Sequence, residues 1–289
     1  MFFRTDLALE LKEGGDPQLL NLPCTVTETS GCTITRMQAQ NEKQGMYVTI
    51  EMPPLSDALD QDNRLLEIVA EELGPLLPKK GTVLVAGLGN TAITPDALGG
   101  QVIEQVLATR HVKTELARIT GQEELRGVAA VSTDVLGNTG METAEILQGL
   151  VQQLEPAAVV VIDAMAARRL ERLGRVVQIS TAGIAPGAGV GNHRPKIDTA
   201  LLGVPVVSIG VPTVVDAATV AADLLGGSGL SEQEQETVRR MVSPNGAAMF
   251  VTPREIDLLI QRSARMIGMA VNVALNPCFT VDDFELLTK

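Results

Sequence analysis

Val83-Leu84-Val85-Ala86-Gly87-Leu88-Gly89 and Val159-Val160-Val161-Ile162-Asp163 decide the fold. Each is a short, unbroken apolar run that stops abruptly at Gly or Asp, the pattern of a strand covered on both faces in a parallel sheet. Runs of the same kind stand at residues 128–131, 176–179 and 206–209. Between them the spacing predicts helices over about 95–107, 139–154, 164–173 and 214–225. This β–α alternation predicts an α/β protein, a three-layer α/β/α sandwich with a mostly parallel central sheet. A last helix over about 253–275 follows Thr252-Pro253-Arg254-Glu255, which reads as a capping box with Pro at the first helical position.

The first eighty residues are more weakly patterned. A strand is predicted at 46–52 and a helix over about 57–77, closed by Pro75 and Pro78. Residues 1–80 are therefore expected to pack as a strip, strand and helix on a core formed by 81–289, in one structural domain. Residues 226–236 read as a flexible acidic connector.

Composition narrows the function. The 289 residues carry 23 Lys and Arg against 35 Asp and Glu, a net charge of −12, and aromatic residues make up 2% with no Trp. That charge has the wrong sign for a polyanion ligand, and stacking platforms for single strands are lacking, so nucleic acid is not an expected partner. Cys24, Cys32 and Cys278 are odd in number and lack C-x-x-C spacing, which argues against a disulfide framework or a structural zinc. No apolar run approaches a membrane span and the N-terminus lacks a signal-peptide core, so a cytoplasmic chain without membrane contact is expected.

In open parallel sheets ligands bind beyond the carboxyl ends of the strands. After residues 83–86 comes Gly87-Leu88-Gly89-Asn90-Thr91-Ala92-Ile93-Thr94-Pro95-Asp96. It imitates a dinucleotide fingerprint, but Thr94 as N-cap with Pro95 after it starts the helix too late to meet a pyrophosphate. Asp96 then complements a helix dipole or serves as an acid at the mouth of the sheet. Asp163 ends a buried strand, where a carboxylate needs a partner, a metal or a task. If the two strands are neighbours, both carboxylates face one crevice, as acid/base peptide hydrolysis or metal binding requires. Asp216, expected in the first turn of the next helix, is a third candidate or a dipole partner.

The loop Gly183-Ile184-Ala185-Pro186-Gly187-Ala188-Gly189-Val190-Gly191-Asn192 lacks the ending of a P-loop. It reads as a site-shaping loop or a close-approach surface for a peptide backbone. His111, expected to end a helix, and His193 are the only histidines, neither in an H-E-x-x-H pattern, and no G-x-S-x-G elbow supports a serine hydrolase.

Taken in order, Phe3-Arg4-Thr5-Asp6-Leu7-Ala8-Leu9-Glu10, Gly87-Leu88-Gly89-Asn90, Thr94-Pro95-Asp96-Ala97-Leu98-Gly99, Ile162-Asp163-Ala164, Gly187-Ala188-Gly189-Val190-Gly191-Asn192 and Gly210-Val211-Pro212-Thr213-Val214-Val215-Asp216-Ala217 resemble the germination (spore) protease family of endospore-forming bacteria. The resemblance implies an endopeptidase of atypical aspartic type that degrades the small acid-soluble proteins coating spore DNA. It implies a fold like that of hydrogenase-maturation proteases, a homo-oligomer, usually a tetramer, in the spore core, and no cofactor. Its two proposed catalytic aspartates correspond to Asp96 and Asp163; Asn90, Thr94, Gly187, Gly189, Gly191, Asn192 and Asp216 would bind substrate or shape the site. The family is made as a zymogen with an inhibitory propeptide, whereas only four residues precede Thr5 here. The segment at about 224–245 is shorter than in familiar members. Where the family has an Asp and a His in the glycine loop, this sequence has Thr181 and Ala185. Thr5-Asp6-Leu7-Ala8-Leu9-Glu10 also resembles the motif that the family cuts after its acidic residue, so either self-cleavage between Asp6 and Leu7 or a strip tied into an edge strand is expected.

Two other functions fit the same residues. Acids that bind a divalent metal would make a maturation-type protease or a metal-binding chaperone, and with so little histidine the ligands would be oxygens suited to Mg²⁺, Ca²⁺ or Mn²⁺. A non-enzymatic domain that binds a nucleotide or a partner would rest on the glycine loops alone.

Overall fold

The computed structural model describes residues 4–38, 45–57, 62–112, 125–191, 194–225, 231–243 and 245–287. Asn192, His193, the connector residues 226–230 and part of the helix predicted from residue 57 lie outside them.

Among the described residues nine strands form one sheet: β1 (Cys24–Thr29), β2 (Cys32–Gln38), β3 (Met46–Glu51), β4 (Val83–Leu88), β5 (Val128–Asp134), β6 (Ala158–Ala167), β7 (Val176–Ser180), β8 (Val206–Asp216) and the short β9 (Phe250–Val251). Their order is β1-β2-β3-β7-β8-β6-β4-β5, with β9 paired to the end of β8. The α/β class and its layers match the sequence reading, and the apolar runs behave as that reading requires. Val83, Val85, Val160 and Ile162 pack into one core with helices α2 (Arg64–Leu73), α3 (Leu98–Gln105) and α7 (Ile256–Leu275). Leu84, Ala86, Val159 and Val161 pack on the opposite face with Leu147 and Val151 of α4 (Thr143–Leu154). Helix α1 (Ala8–Glu13) precedes β1, α5 (Ala217–Leu224) follows β8 directly, α6 (Glu232–Val242) leads to β9, and α8 (Val281–Leu287) ends the described chain.

Parallel pairing is confined to β8-β6-β4-β5. β7, one of the five apolar runs, is antiparallel to both β3 and β8. Its connection from β6 holds only the turn Leu170–Arg172, and a parallel return needs a crossover of about a dozen residues or more. The hairpin β1–β2 escaped the sequence reading. Its signal is Ser30-Gly31, both at positive φ (49° and 76°), the geometry of a two-residue hairpin turn.

Several predicted boundaries move. The helix expected at 164–173 is strand as far as Ala167, because β6 continues to pair with β8 as far as Val215 and tertiary pairing overrides the helical preference of Ala164-Met165-Ala166-Ala167. Asp216 ends β8 and is the N-cap of α5, its Oδ1 accepting the Thr219 N–H at 2.9 Å, rather than a residue of the first turn. The last helix starts at Ile256 with Glu255 as N-cap and no side-chain cap. Thr252 does not cap it, since its hydroxyl donates instead to the Thr213 carbonyl at 2.9 Å. α3 ends at Gln105, so His111 lies beyond it; the N–H groups of Thr109 and Arg110 bond to Val128.

Gly99 sets how closely α3 approaches the sheet. A Cβ there would lie 2.3 Å from the Leu88 carbonyl oxygen and 2.6 Å from that of Ile162, backbone atoms that cannot step aside. The helix therefore rests directly on the ends of β4 and β6. Gly99→Ala is expected to lower stability by about 1–3 kcal/mol, the range for overpacking a tight core, as measured by urea unfolding.

Candidate active site

Beyond the carboxyl ends of β4, β6 and β5 opens a cleft of about 410 Å³, lined by Asp6, Asp96, Asp134 and Asp163, by Arg194, and by apolar walls that include Ile93, Val135, Leu136, Val190 and Phe250. The two aspartates singled out from sequence thus share one cavity.

Neighbouring strands put them there. β4 and β6 are adjacent and in register from Val83 opposite Ala158 to Gly87 opposite Ile162, so Asp163 follows the last paired residue. Asp96 closes a 3-10 turn, Thr94–Asp96, ahead of α3. Thr94 opens that turn without the predicted side-chain cap. Two contacts fix the turn. The Thr213 hydroxyl of β8 donates to the Pro95 carbonyl at 2.7 Å, and the Asn90 N–H donates to Asp96 Oδ2 at 2.7 Å.

The two carboxyls differ in setting. Asp163 is 5% exposed, and burial pushes its proton affinity well above the usual carboxylate range; the charges of Asp96 and Asp6 add to the rise against one Ala164 N–H. Asp96 is raised too, first by burial. The Asn90 N–H and then Arg194 oppose that rise, while Asp134 adds to it.

The glycine loop grips the chain's own N-terminal strip. Gly189 N–H donates to Asp6 Oδ1 at 2.7 Å, and a Cβ on Gly189 would come within 2.3 Å of Asp6 Oδ2. Ala166 N–H donates to Asp6 Oδ2 at 2.8 Å, and Asp6 N–H returns a bond to the Ala166 carbonyl. Burial brings the Asp6 carboxyl up to about 6 against these two N–H donors. The Gln178 amide spans the next residue, donating to the Asp6 carbonyl at 3.0 Å and accepting from Ala8 N–H at 2.6 Å. Leu7 between them is fully buried. The strip is thus held to the end of β6 and to β7 by side chains and single backbone bonds, not as an edge strand. Gly187 lines the cleft and Gly191 lies against Arg4. Asp216 faces Arg4 at 3.8 Å besides capping α5. Asn192 lies outside the described residues. Thr181, where the family has an acid, accepts the Met46 N–H through its hydroxyl at 2.9 Å, a bond between β3 and the loop.

Sequence reasoning missed Asp134 and Arg194. Asp134 ends β5 at a φ of 57°, and the inspection of strand ends that found Asp163 would have found it one strand over. Arg194 sits in a loop and had no signal. Among the described residues no three or more His, Cys, Asp or Glu are placed to hold a metal ion, and no helix is long and apolar enough to cross a membrane.

An α/β sheet with paired, unequally buried carboxyls at its strand ends is a scaffold for acid–base hydrolysis. Residues 26–227 match the family model described as germination protease. The chain is 42% identical to the germination protease of Caldanaerobacter subterraneus subsp. tengcongensis, with 98% of this chain and 97% of that one covered. It is 38% identical to the germination protease of Clostridium tetani, with 99% of each covered, and 34% identical to that of Bacillus velezensis, with 97% and 95% covered. The chain belongs to the germination protease family, and is by that membership a protease. Among solved structures, the [NiFe] hydrogenase maturation protease HycI of Thermococcus kodakarensis aligns at 18% identity and a TM-score of 0.40, over 71% of this chain and 98% of that one.

Proposed function

We propose that the protein is an endopeptidase that degrades small acid-soluble spore proteins at germination, with Asp96 and Asp163 as an aspartic-type pair. The observation that carries this reading is the shared cleft with its two unequal carboxyls. Asp163, the more deeply buried and more strongly raised, serves as the acid and gives its proton to the departing amine nitrogen. Asp96 takes a proton from the attacking water, whose oxygen bonds to the carbonyl carbon before the C–N bond breaks. Water is consumed, and a proton passed from Asp96 back to Asp163 restores the pair. The apolar walls take an extended substrate chain. The family resemblance further supports a homo-oligomer, a tetramer, in the spore core.

Incubation with a small acid-soluble spore protein and mass spectrometry of the fragments tests the reading; a substrate that stays intact would remove it. A chelator is expected to leave turnover unchanged, and loss of activity restored by a divalent ion would favour the metal-dependent alternative. The peptide bond after Asp6 lies at a buried, bonded segment, so self-cleavage there requires the strip to leave its seat first. Slow loss of residues 1–6 is the expected result of intact-mass measurement over time, absent in an Asp163→Asn control; a wild-type mass that never changes while spore protein is being cut would leave the strip a structural role.

A further inference from the structure

Three residues turn one stretch of the cleft into a seat for a peptide, and the chain's own N-terminal strip occupies it. β4 pairs with β6 only as far as Ile162, while β6 runs on to Ala167 alongside β8. In that overhang Ala166 turns both its main-chain groups to Asp6, its carbonyl taking the Asp6 N–H at 2.9 Å and its N–H reaching Asp6 Oδ2 at 2.8 Å. The other carboxylate oxygen takes the Gly189 N–H at 2.7 Å. From β7 the Gln178 side chain, 3% exposed as a residue, spans the strip's backbone, donating to the Asp6 carbonyl at 3.0 Å and accepting the Ala8 N–H at 2.6 Å. Leu7, between these anchors, is buried in the core cluster that also holds Met165 and Ile184.

We infer that this seat is a substrate subsite: an extended peptide enters the cleft against Ala166 and Gln178, and the N–H groups of Ala166 and Gly189 select a carboxylate on the residue that takes the place of Asp6. The inference rests on the peptidase reading and names the side chain its site recognises. Asp6, Ala166 and Met165 line the same cavity as Asp96 and Asp163, so a chain seated there lies beside the reactive carboxyls. A strip that merely tied down the N-terminus would gain from apolar burial and would not need a carboxylate next to two others, where like charges oppose it. Gln178 bonds backbone groups alone and so accepts any extended chain. The side-chain contacts are selective, because both of their protein partners are donors: a carboxylate satisfies two donors, whereas an amide turns its own N–H toward one of them. Gly189 is required by the fit, since a Cβ there would lie 2.3 Å from Asp6 Oδ2. While Asp6 is seated, no second chain can use these groups.

The test follows binding and cleavage separately. In the full chain, Asp6→Arg with Leu7→Ala unseats the strip, and Asp163→Asn keeps the probe from being consumed. The probe is a fluorescein-labelled peptide with the sequence of residues 4–9, followed by anisotropy at a pH well above the Asp6 value of about 6. It is expected to bind the unseated variant at least about 10-fold more tightly than an Asp163→Asn chain whose strip is still seated, and the same peptide with Asn for Asp to bind about 10–100-fold more weakly. Adding Gly189→Ala should bring the acidic peptide down to its amide twin, whereas Gln178→Leu should weaken both alike. If circular dichroism shows the unseated variant unfolded, Asp6→Ala with Asp163→Asn takes its place under the same criteria. Equal binding of the two peptides, or equal binding to seated and unseated chains, overturns the proposal. In the cleavage arm, kcat/KM of the wild type should favour a substrate with the acid over its amide twin, and Gly189→Ala should remove that preference. A chain that binds the acid selectively but cleaves nothing would defeat the peptidase reading and leave the subsite; cleavage without preference would do the reverse.

Discussion

Asp96→Asn and Asp163→Asn are each expected to lower the rate of spore-protein cleavage by about 10²–10⁴-fold, the usual worth of one positioned acid or base, in a protein that stays folded. Substrate binding should change far less than turnover, because each substitution keeps the shape of the side chain and removes only a proton-transfer step. Stability separates this outcome from a structural defect. The buried carboxyl of Asp163 holds its proton more tightly in the folded chain than in the unfolded one, where its value is near 3.8. The folded state therefore binds more protons than the unfolded state above about pH 4, and wild-type stability falls as pH rises through that window. Asn cannot ionise and carries no such cost. Asp163→Asn should thus be more stable than wild type at neutral pH, with the gap closing toward pH 4, in urea titrations at several pH values. Retained cleavage by either variant would remove that residue from the mechanism. A less stable Asp163→Asn at pH 7 would mean that the carboxylate holds the fold together rather than being tolerated by it.

The second large effect lies away from the chemistry. Arg172 lies between β6 and β7 and is nearly buried, and its guanidinium bonds Glu13 through Nη1 and Nη2 at 2.8 and 2.6 Å and Glu51 through Nε at 3.0 Å, with Glu10 at 3.7 Å. Glu10 is buried as well and accepts the N–H groups of Arg168 and Arg169. Removing the guanidinium takes the shared cation from the buried Glu10 and from Glu51, while Glu13 keeps only Arg169 at 3.7 Å. Arg172→Ala is accordingly expected to cost about 3–5 kcal/mol in urea unfolding, and Arg172→Lys to recover only part, since an ammonium cannot reproduce the planar fork. The earliest proteolytic cut should then fall before β1, because Glu10 and Glu13 belong to the segment that also holds Asp6 in the cleft. A loss below about 1 kcal/mol would put the cluster among exposed ion pairs and free the strip from dependence on it.

Both effects fall on residues of different legibility. Asp163 was readable because a charged residue at the end of four consecutive β-branched residues has no bland explanation, and Asp96 because Thr94-Pro95 announces a turn directly after a glycine-ended strand. Arg172 carried no signal at all. One arginine among the four of residues 168–175 looks like any solvated cation until the fold brings Glu10 and Glu13 of α1 and Glu51 of β3 around it from two separate parts of the chain.

The sequence by itself determined what depends on short-range pattern. The unbroken runs fixed the doubly covered strands, and their glycine and aspartate ends located the mouth of the sheet. Tertiary structure decided what depends on contacts between distant segments. It made β7 antiparallel, since too little chain joins it to β6 for a crossover, and it kept residues 164–167 in a strand against their helical preference, since β8 still offered partners. It also turned the glycine loop into a seat for Asp6 and brought Arg194 into the cleft that holds Asp96. No local rule contains these results, because burial and a neighbour's charge are properties of a position in space, and a residue acquires them only when the chain has closed.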